Sequence, residues 1–344
     1  MSMDVWECFL YPLGTKPKSG CISEKLDSRM AESPGVKIRG VLVATGTVDA
    51  FTDSPFKGNP AAVCLLEEER DDDWLQSVAK EFNISQTGFL TPIVTDTEST
   101  PNESLNSTYL TPRFCIRWFT PVAEVKLCGH ATLAAAHVLF ATGLVKSNII
   151  EFSTLSGILT AKKVGAEMLD TSSSLNGKAE DHFSVELDFP TDSVVECEPY
   201  EIPSIPLTLK GAPMINIKKM ATTGDLIVEL PSGMLVADLQ PNLDEIHKCA
   251  GRGVIITGIA PRESGFDFFS RFFCPKFGIN EDPVCGSAHC GLAPYWSKKL
   301  GKCDLKAYMA SPRGGILDLH LNEETQRLLI GGRSVIVMEG SLLA

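Results

Sequence analysis

Two stretches of this chain echo one another at long range. Arg117-Trp118-Phe119-Thr120-Pro121 leads to Cys128-Gly129-His130-Ala131, and Arg271-Phe272-Phe273-Cys274-Pro275 leads to Cys285-Gly286-Ser287-Ala288. The separation is 154 residues at the arginines and 157 at the cysteines, so the second copy carries three extra residues in between. In each copy an aromatic, strand-like run stops at proline, a loop follows, and Cys-Gly opens a helix of small and apolar residues. The first helix is predicted from about His130 to Thr142 with Gly143 as its C-cap. The second runs from about Ser287 to Leu300 and ends at Gly301, with a kink expected at Pro294. A spacing this long is not that of a solenoid. It predicts two similar α/β halves.

The remaining chain is punctuated by local signals. Residues 1–39 carry no sustained period and read as a mobile extension. Val41 to Ala50 and Ala61 to Leu66 are strand-like, with Gly58-Asn59-Pro60 between them. Asp71 to Asp73 predict the first turn of a helix that carries Trp74, Leu75, Val78, Ala79 and Phe82 on one stripe. Thr95 to Pro112 and Asp170 to Asp181 are polar and read as surface loops. In 344 residues, 44% hydrophobic and 22% charged content is ordinary globular usage and excludes disordered and fibrous classes for the bulk.

The net charge of −12 argues against nucleic acid and anionic membranes as partners, because both are bound by a cationic footprint. No apolar run suggests a membrane span, and the N-terminal residues lack the pattern of a secretory signal. Eleven scattered cysteines in a chain with ample core material predict a reduced, cytoplasmic protein with buried thiols.

The two helix starts carry the chemistry. A helix N-terminus offers unpaired N–H groups and about half a positive charge, which suits a carboxylate. Small residues there (Gly129, Ala131, Gly286, Ala288) let a ligand approach the backbone, and two such termini face to face would grip an acid. The same field is expected to lower the pKa of Cys128 and Cys285. His130 and Asp282 lie within three residues of these turns, which completes a set suited to proton transfer beside a carboxylate. The spacing of Cys128, His130, Cys285, His289 and Cys290 matches usual zinc sites poorly, so no metal is expected. His137 reads as a core histidine, and Gly314-Gly315 as a hairpin turn rather than a phosphate loop. No nucleotide-binding signature appears, so no cofactor is expected.

Longer motifs carry a resemblance. Val48-Asp49-Ala50-Phe51-Thr52 with Gly58-Asn59-Pro60-Ala61-Ala62-Val63, then Ile116 to Pro121, Leu127 to Ala134, and Asn280-Glu281-Asp282-Pro283-Val284 running into Gly286-Ser287-Ala288-His289 together resemble the PhzF-like family of phenazine-biosynthesis-like isomerases. The similarity covers essentially residues 41–342. It implies the diaminopimelate epimerase fold, α/β (α+β), with two pseudo-symmetric halves, each a strongly twisted and mainly antiparallel sheet wrapped around a central helix. The expected division is an extension at 1–39, a first half at 40–157 and a second at 158–332, with a final strand near Ser334 to Met338 (within 333–344) returning to the first.

The resemblance also implies a cofactor-independent isomerase acting on a small anionic metabolite in the cleft between the halves, and a homodimer as the assembly. The family's acid/base glutamate lies in an Asn-x-Ser-Glu-Thr motif; here the segment is Asn83-Ile84-Ser85-Gln86-Thr87. A carboxamide at Gln86 binds but does not exchange a proton. His130, Asp282 and Ser287 match the family's remaining catalytic set, and Gly58, Asn59, Gly129, Gly286 and Ala288 its binding positions. Cys285 stands where threonine is common, and Lys126 where many members carry an acid.

Three readings follow. One is a racemase or epimerase using Cys128 and Cys285 on opposite faces of an α-carbon. Another is an isomerase in which Asp282 or His130 inherits the shuttle. The last is a binding protein that has lost turnover.

Overall fold

The computed structural model describes residues 42–93, 111–165, 183–198 and 205–343. The predicted extension at 1–39 and the loop at Asp170 to Asp181 lie outside them, as does most of the Thr95–Pro112 loop. Local chemistry sets where the elements begin. Asp71 caps the first helix by accepting from Trp74 N–H, and Asn83 closes it in the left-handed region at φ 49°.

In chain order the first set is β1 (Leu42–Ala50), β2 (Asn59–Leu65), α1 (Asp72–Phe82), β3 (Gln86–Pro92), β4 (Arg113–Phe119), β5 (Glu124–Val125), α2 (Gly129–Ala141), β6 (Ile149–Thr154), β7 (Gly157–Gly165) and β8 (Phe183–Pro190). The second opens with β9 (Val194–Glu196), α3 (Ile205–Thr208), β10 (Asn216–Met220), β11 (Leu226–Glu229), α4 (Gly233–Asp238) and α5 (Leu243–Ile246). It continues with β12 (Val254–Ile259), β13 (Phe268–Cys274), β14 (Ile279–Asp282), α6 (Gly286–Leu300), β15 (Asp304–Met309), β16 (Gly315–Asn322), β17 (Arg327–Gly332) and β18 (Ser334–Leu343).

One series of pairings occurs twice. β1 to β2 is antiparallel, β2 to β3 parallel, β3 to β4 antiparallel, β4 to β6 parallel, and β6–β7–β8 antiparallel. β10, β11, β12, β13, β15, β16 and β17 follow the same alternation in the same order. The division expected at residue 157 falls between β6 and β7, and all of β6 pairs antiparallel with residues 157–162 of β7. β8 and β17 pair antiparallel and join the two sets. The strand after each then crosses over: β9 adds beside β10, and β18 returns to β1.

Each set wraps one helix. Ten residues of α2 are buried, and its run of Ala131, Ala134, Ala135 and Ala136 keeps it thin enough for the sheet to close around it. α6 buries Ala288, Cys290, Leu292, Ala293 and Trp296 in the same continuous core. The strands facing these helices alternate, as in β8, where Phe183, Val185, Leu187 and Phe189 are buried. Outside the sheets lie α1, packed over Phe89 and Phe119, and on the other side α3, α4 and α5 over Phe269 and Phe273. Pro294 lies within α6 without ending it, and α2 begins at Gly129, one residue before the predicted start. Gly314 turns at φ 70° between β15 and β16, where its N–H donates to Ser311 O. No helix among the described residues is long and apolar enough to cross a membrane.

Candidate active site

Both central helices begin in the same way. Cys128 and Cys285 occupy the N-cap positions in extended backbone, at φ −145° and −103°. One turn later a side chain bonds back to each cap carbonyl: Thr132 Oγ1 donates to Cys128 O (2.6 Å), and His289 Nδ1 donates to Cys285 O (2.8 Å). Between the caps the two backbones meet. A Cβ on Gly129 would stand 3.7 Å from Gly286 Cα, and one on Gly286 3.8 Å from Gly129 Cα. The two helix N-termini therefore lie against one another at bare glycine, with no side chain between them. Ala288, buried in the first turn of α6, lines the same start.

A chain of polar groups crosses between the halves beside these termini. Asn59, fully buried at the start of β2, donates through Nδ2 to Asp282 Oδ1 (2.6 Å) and to Val284 O (3.0 Å). Both partners accept only, so Asn59 Oδ1 faces the other way, toward Ser85 Oγ at 3.2 Å. Ser85 also has Pro60 O at 2.9 Å and His130 Nε2 at 3.3 Å. Its single proton goes to one of the two oxygens, so it accepts from His130 Nε2–H. Burial holds His130 neutral, pushing its pKa down to about 3, which leaves Nδ1 bare. That nitrogen stands 3.4 Å from Cys128 Sγ and accepts its S–H. In the other half Cys285 Sγ lies 3.3 Å from Ser287 Oγ and also hydrogen-bonds Asp282.

Charge in this place is costly. Burial raises Asp282 above its ordinary value, with the hydrogen bonds from Cys285 and Asn59 and the charge of Arg252 acting against it. The expectation that the helix termini acidify the thiols is corrected: burial pushes Cys285 up to about 12 and Cys128 higher still. The N–H groups of Ala131 and Ala288 pull the other way, but desolvation is larger. Both residues are thiols at neutral pH.

The other predicted residues separate into two groups. Gln86 opens β3 opposite Ala61, buried, with Oε1 lacking a hydrogen-bond partner among the described residues. It shares a sheet face with Gly88, whose Cβ would lie 3.9 Å from Ala131 O, so it stands over the first turn of α2. Gly58 forms a tight turn beside Asn59. It adopts φ 63°, a Cβ there would fall 2.1 Å from Ala50 O, and its carbonyl accepts from Arg313 Nε. Lys126 is exposed, and its carbonyl accepts from Ser156 Oγ. His137 is a core residue stacked on Phe183. The described residues hold no cluster of three or more His, Cys, Asp or Glu that would bind a metal.

Sequence reasoning passed over Ser85 although it lies in the quoted Asn83–Thr87 segment. It also missed Arg252, whose Nη2 is 3.4 Å from Ser287 Oγ, because Gly251-Arg252-Gly253 falls outside the echoed stretches.

Two halves wound about central helices, with paired helix starts between them, are the architecture of the epimerase fold. Residues 48–340 match the model of the phenazine biosynthesis-like protein family (PhzC-PhzF), and the chain belongs to that family. It is 39% identical over 297 residues to the uncharacterized isomerase BH0283 of Halalkalibacterium halodurans, covering 86% of this chain and 97% of that protein. A PhzF-family crystal structure from Enterococcus faecalis superposes with TM-score 0.71 at 34% identity, over 88% of this chain and all of the other. A hydroxyproline epimerase from Agrobacterium vitis, at 9% identity and TM-score 0.51 over 88% of this chain and 92% of its own, shares the fold.

Proposed function

We propose that this protein is an isomerase that moves a proton on a small carboxylate-bearing molecule, without a cofactor, in the cleft between the halves. The observation that carries the reading is the approach of the two helix N-termini at Gly129 and Gly286, where a Cβ added to either glycine would stand 3.7 or 3.8 Å from the other's Cα. The carboxylate is held by the amides of these termini, and the carbon beside it lies between the two caps.

The acid and base come from the pairs that flank the amides, Cys128 with His130 and Cys285 with Asp282. Each thiol has an acceptor for its proton, His130 Nδ1 on one side and the Asp282 carboxylate on the other. Asn59 separates the pairs, because its carboxamide passes no proton between Ser85 and Asp282. Gln86 stands where the family glutamate acts and contributes a hydrogen bond to the ligand through its unpartnered Oε1. This arrangement favours transfer by the two thiols on opposite faces of one carbon over a single shuttling carboxylate. Cys285 first passes its proton to the Asp282 carboxylate that hydrogen-bonds it; the C–H bond then breaks to that thiolate on one face as the Cys128 S–H delivers its proton on the other, leaving Cys128 as the thiolate, so the carbon keeps its bond count.

The test is incubation of the protein in D₂O with a panel of chiral amino and hydroxy acids, read by mass spectrometry. Deuterium uptake with loss of optical purity is expected, abolished in Cys128→Ala and in Cys285→Ala. Uptake that survives both substitutions but is lost in Asp282→Asn removes the two-thiol route and leaves the isomerase. A panel member that binds in calorimetry yet never exchanges makes the chain a binding protein.

A further inference from the structure

We propose that Arg252 is a positioning residue of this site: held by Asp225, it fixes the Ser287 hydroxyl against Cys285 and supplies the cationic charge on the second half's side of the cleft. The assignment rests on the reading of the cleft as a proton-transfer site.

Its placement is built into the backbone. Gly224 and Gly251 both take left-handed conformations, at φ 70° and 73°, and cross so closely that a Cβ on Gly251 would fall 1.7 Å from Gly224 O. The crossing sets Arg252 directly against Asp225. The guanidinium meets that fully buried carboxylate along its edge, with Nε at 3.1 and 3.2 Å from the two oxygens and Nη2 at 2.6 Å from Oδ2. It also stacks over Phe272 at 5.3 Å. A planar fork fixed on one edge by a carboxylate and on its face by a ring has little freedom left. Nη2 then reaches Ser287 Oγ at 3.4 Å. Guanidinium nitrogens only donate, so Ser287 accepts there, and its own proton is free to point at Cys285 Sγ, 3.3 Å away.

The first half has the matching device in another chemistry. β3 and β12 are each entered from a left-handed residue, Asn83 and Gly251, and each lies parallel to its neighbour, β2 or β11. From the loop before β3, Ser85 meets His130, the second residue after the cap Cys128. From the loop before β12, Arg252 meets Ser287, the second residue after the cap Cys285. The corresponding loops thus serve corresponding points of the two central helices, one with a neutral hydroxyl and one with a fixed cation.

The titratable groups around Cys285 are Asp282 from β14, Cys274 from β13, Cys128 from the cap of α2, Cys290 from α6 and Arg252 itself. Asp282 opposes the thiolate, and Arg252 favours it.

The experiment follows alkylation of Cys285 by iodoacetamide in the full-length protein as a function of pH, read peptide by peptide by mass spectrometry. It needs no substrate, so its outcome is separate from the D₂O test. In Arg252→Gln the rate–pH profile of Cys285 is expected to move up by about one pH unit, a roughly tenfold slower reaction at pH 9. Arg252→Lys, which keeps the charge but not the fork, is expected to recover at least part of that rate. Cys303, in the turn between α6 and β15, is expected to change less than about twofold. Arg252→Gln leaves Asp225 buried without its partner, so Asp225→Asn/Arg252→Gln serves as the folded neutral counterpart. An unmoved Cys285 profile in that double variant overturns the proposal, as does equal slowing at Cys285 and Cys303.

Discussion

At Gln86 the difference between an amide nitrogen and an oxygen separates this chain from the acid/base chemistry its family pattern implies. The buried Oε1 has no partner among the described residues, so a carboxylate there would be equally unsupported. Gln86→Glu is expected to fold with a pKa raised by burial. A carboxyl whose folded pKa is raised loses stability as pH climbs through the interval above its unfolded value near 4.3. The variant's melting temperature should therefore match wild type at pH 4 and fall progressively behind it toward pH 8; a constant gap across that range would mean that the new carboxyl is solvated. At Gly129 and Gly286 a methyl would make only ordinary contacts, at 3.7 and 3.8 Å. Gly129→Ala and Gly286→Ala should cost less than about 1 kcal/mol, the helix propensity of alanine offsetting part of the crowding. Both should nevertheless abolish carboxylate binding by calorimetry, because the methyl occupies the space beside the amides. These glycines were legible in the sequence, since Cys-Gly recurs at the start of an apolar run. The state of the neighbouring thiols was not, because local sequence reveals a helix terminus but not the burial that outweighs it.

Paired elements explain why the echo is visible at all. Arg117 grips Glu124 through Nε and Nη2, both at 2.7 Å, and so closes β4 onto β5. Arg271 grips Glu281 in the same way, at 2.6 and 2.8 Å, and closes β13 onto β14. Each guanidinium also lies over the phenylalanine two residues on, Phe119 or Phe273. The arginines are thus hairpin clamps that aim the chain into Cys128 and Cys285. The three extra residues of the second copy fall between Arg271 and Glu281, where Pro275–Phe277 forms a 3-10 turn. The clamps differ in burial: Arg271 is 6% exposed against 26% for Arg117. Breaking the more buried one is expected to cost about 3 kcal/mol in Glu281→Gln, against about 1 kcal/mol in Glu124→Gln, by urea unfolding. Equal costs would show that burial does not set the difference. Such clamps leave an aromatic, charge-bearing signature that survives in sequence. The Gly224–Gly251 crossing depends on two turns far from either echo and leaves none, which is why Arg252 escaped notice.

At the scale of the whole molecule, three histidines buried without charge set how it responds to acid. β9 and β18 exchange between the halves, and one core spans both central helices, so His130, His137 and His289 all lie inside a single cooperative structure. Burial pushes His130 down to about 3 and His137 and His289 to about 4, each from 6.5. A folded-state pKa below the unfolded one means that the unfolded chain binds protons first. The stabilisation is complete above pH 6.5 and is lost as pH falls toward 4. At pH 5.5 all three remain neutral when folded, so the loss depends only on the unfolded value, about 1.4 kcal/mol for each and roughly 4 kcal/mol together. Asp282, raised by burial, works in the opposite sense, but it is one group against three. Melting temperature should therefore drop steeply between pH 7.5 and 5.5, and a flat profile would sink the account. His137 isolates one share of it. Its Nδ1 has no partner among the described residues, and its ring stacks on Phe183 at 4.9 Å. In His137→Phe the stack is kept and the proton-binding site is gone, so the slope between those pH values should fall by about a third while stability at pH 7.5 holds or rises.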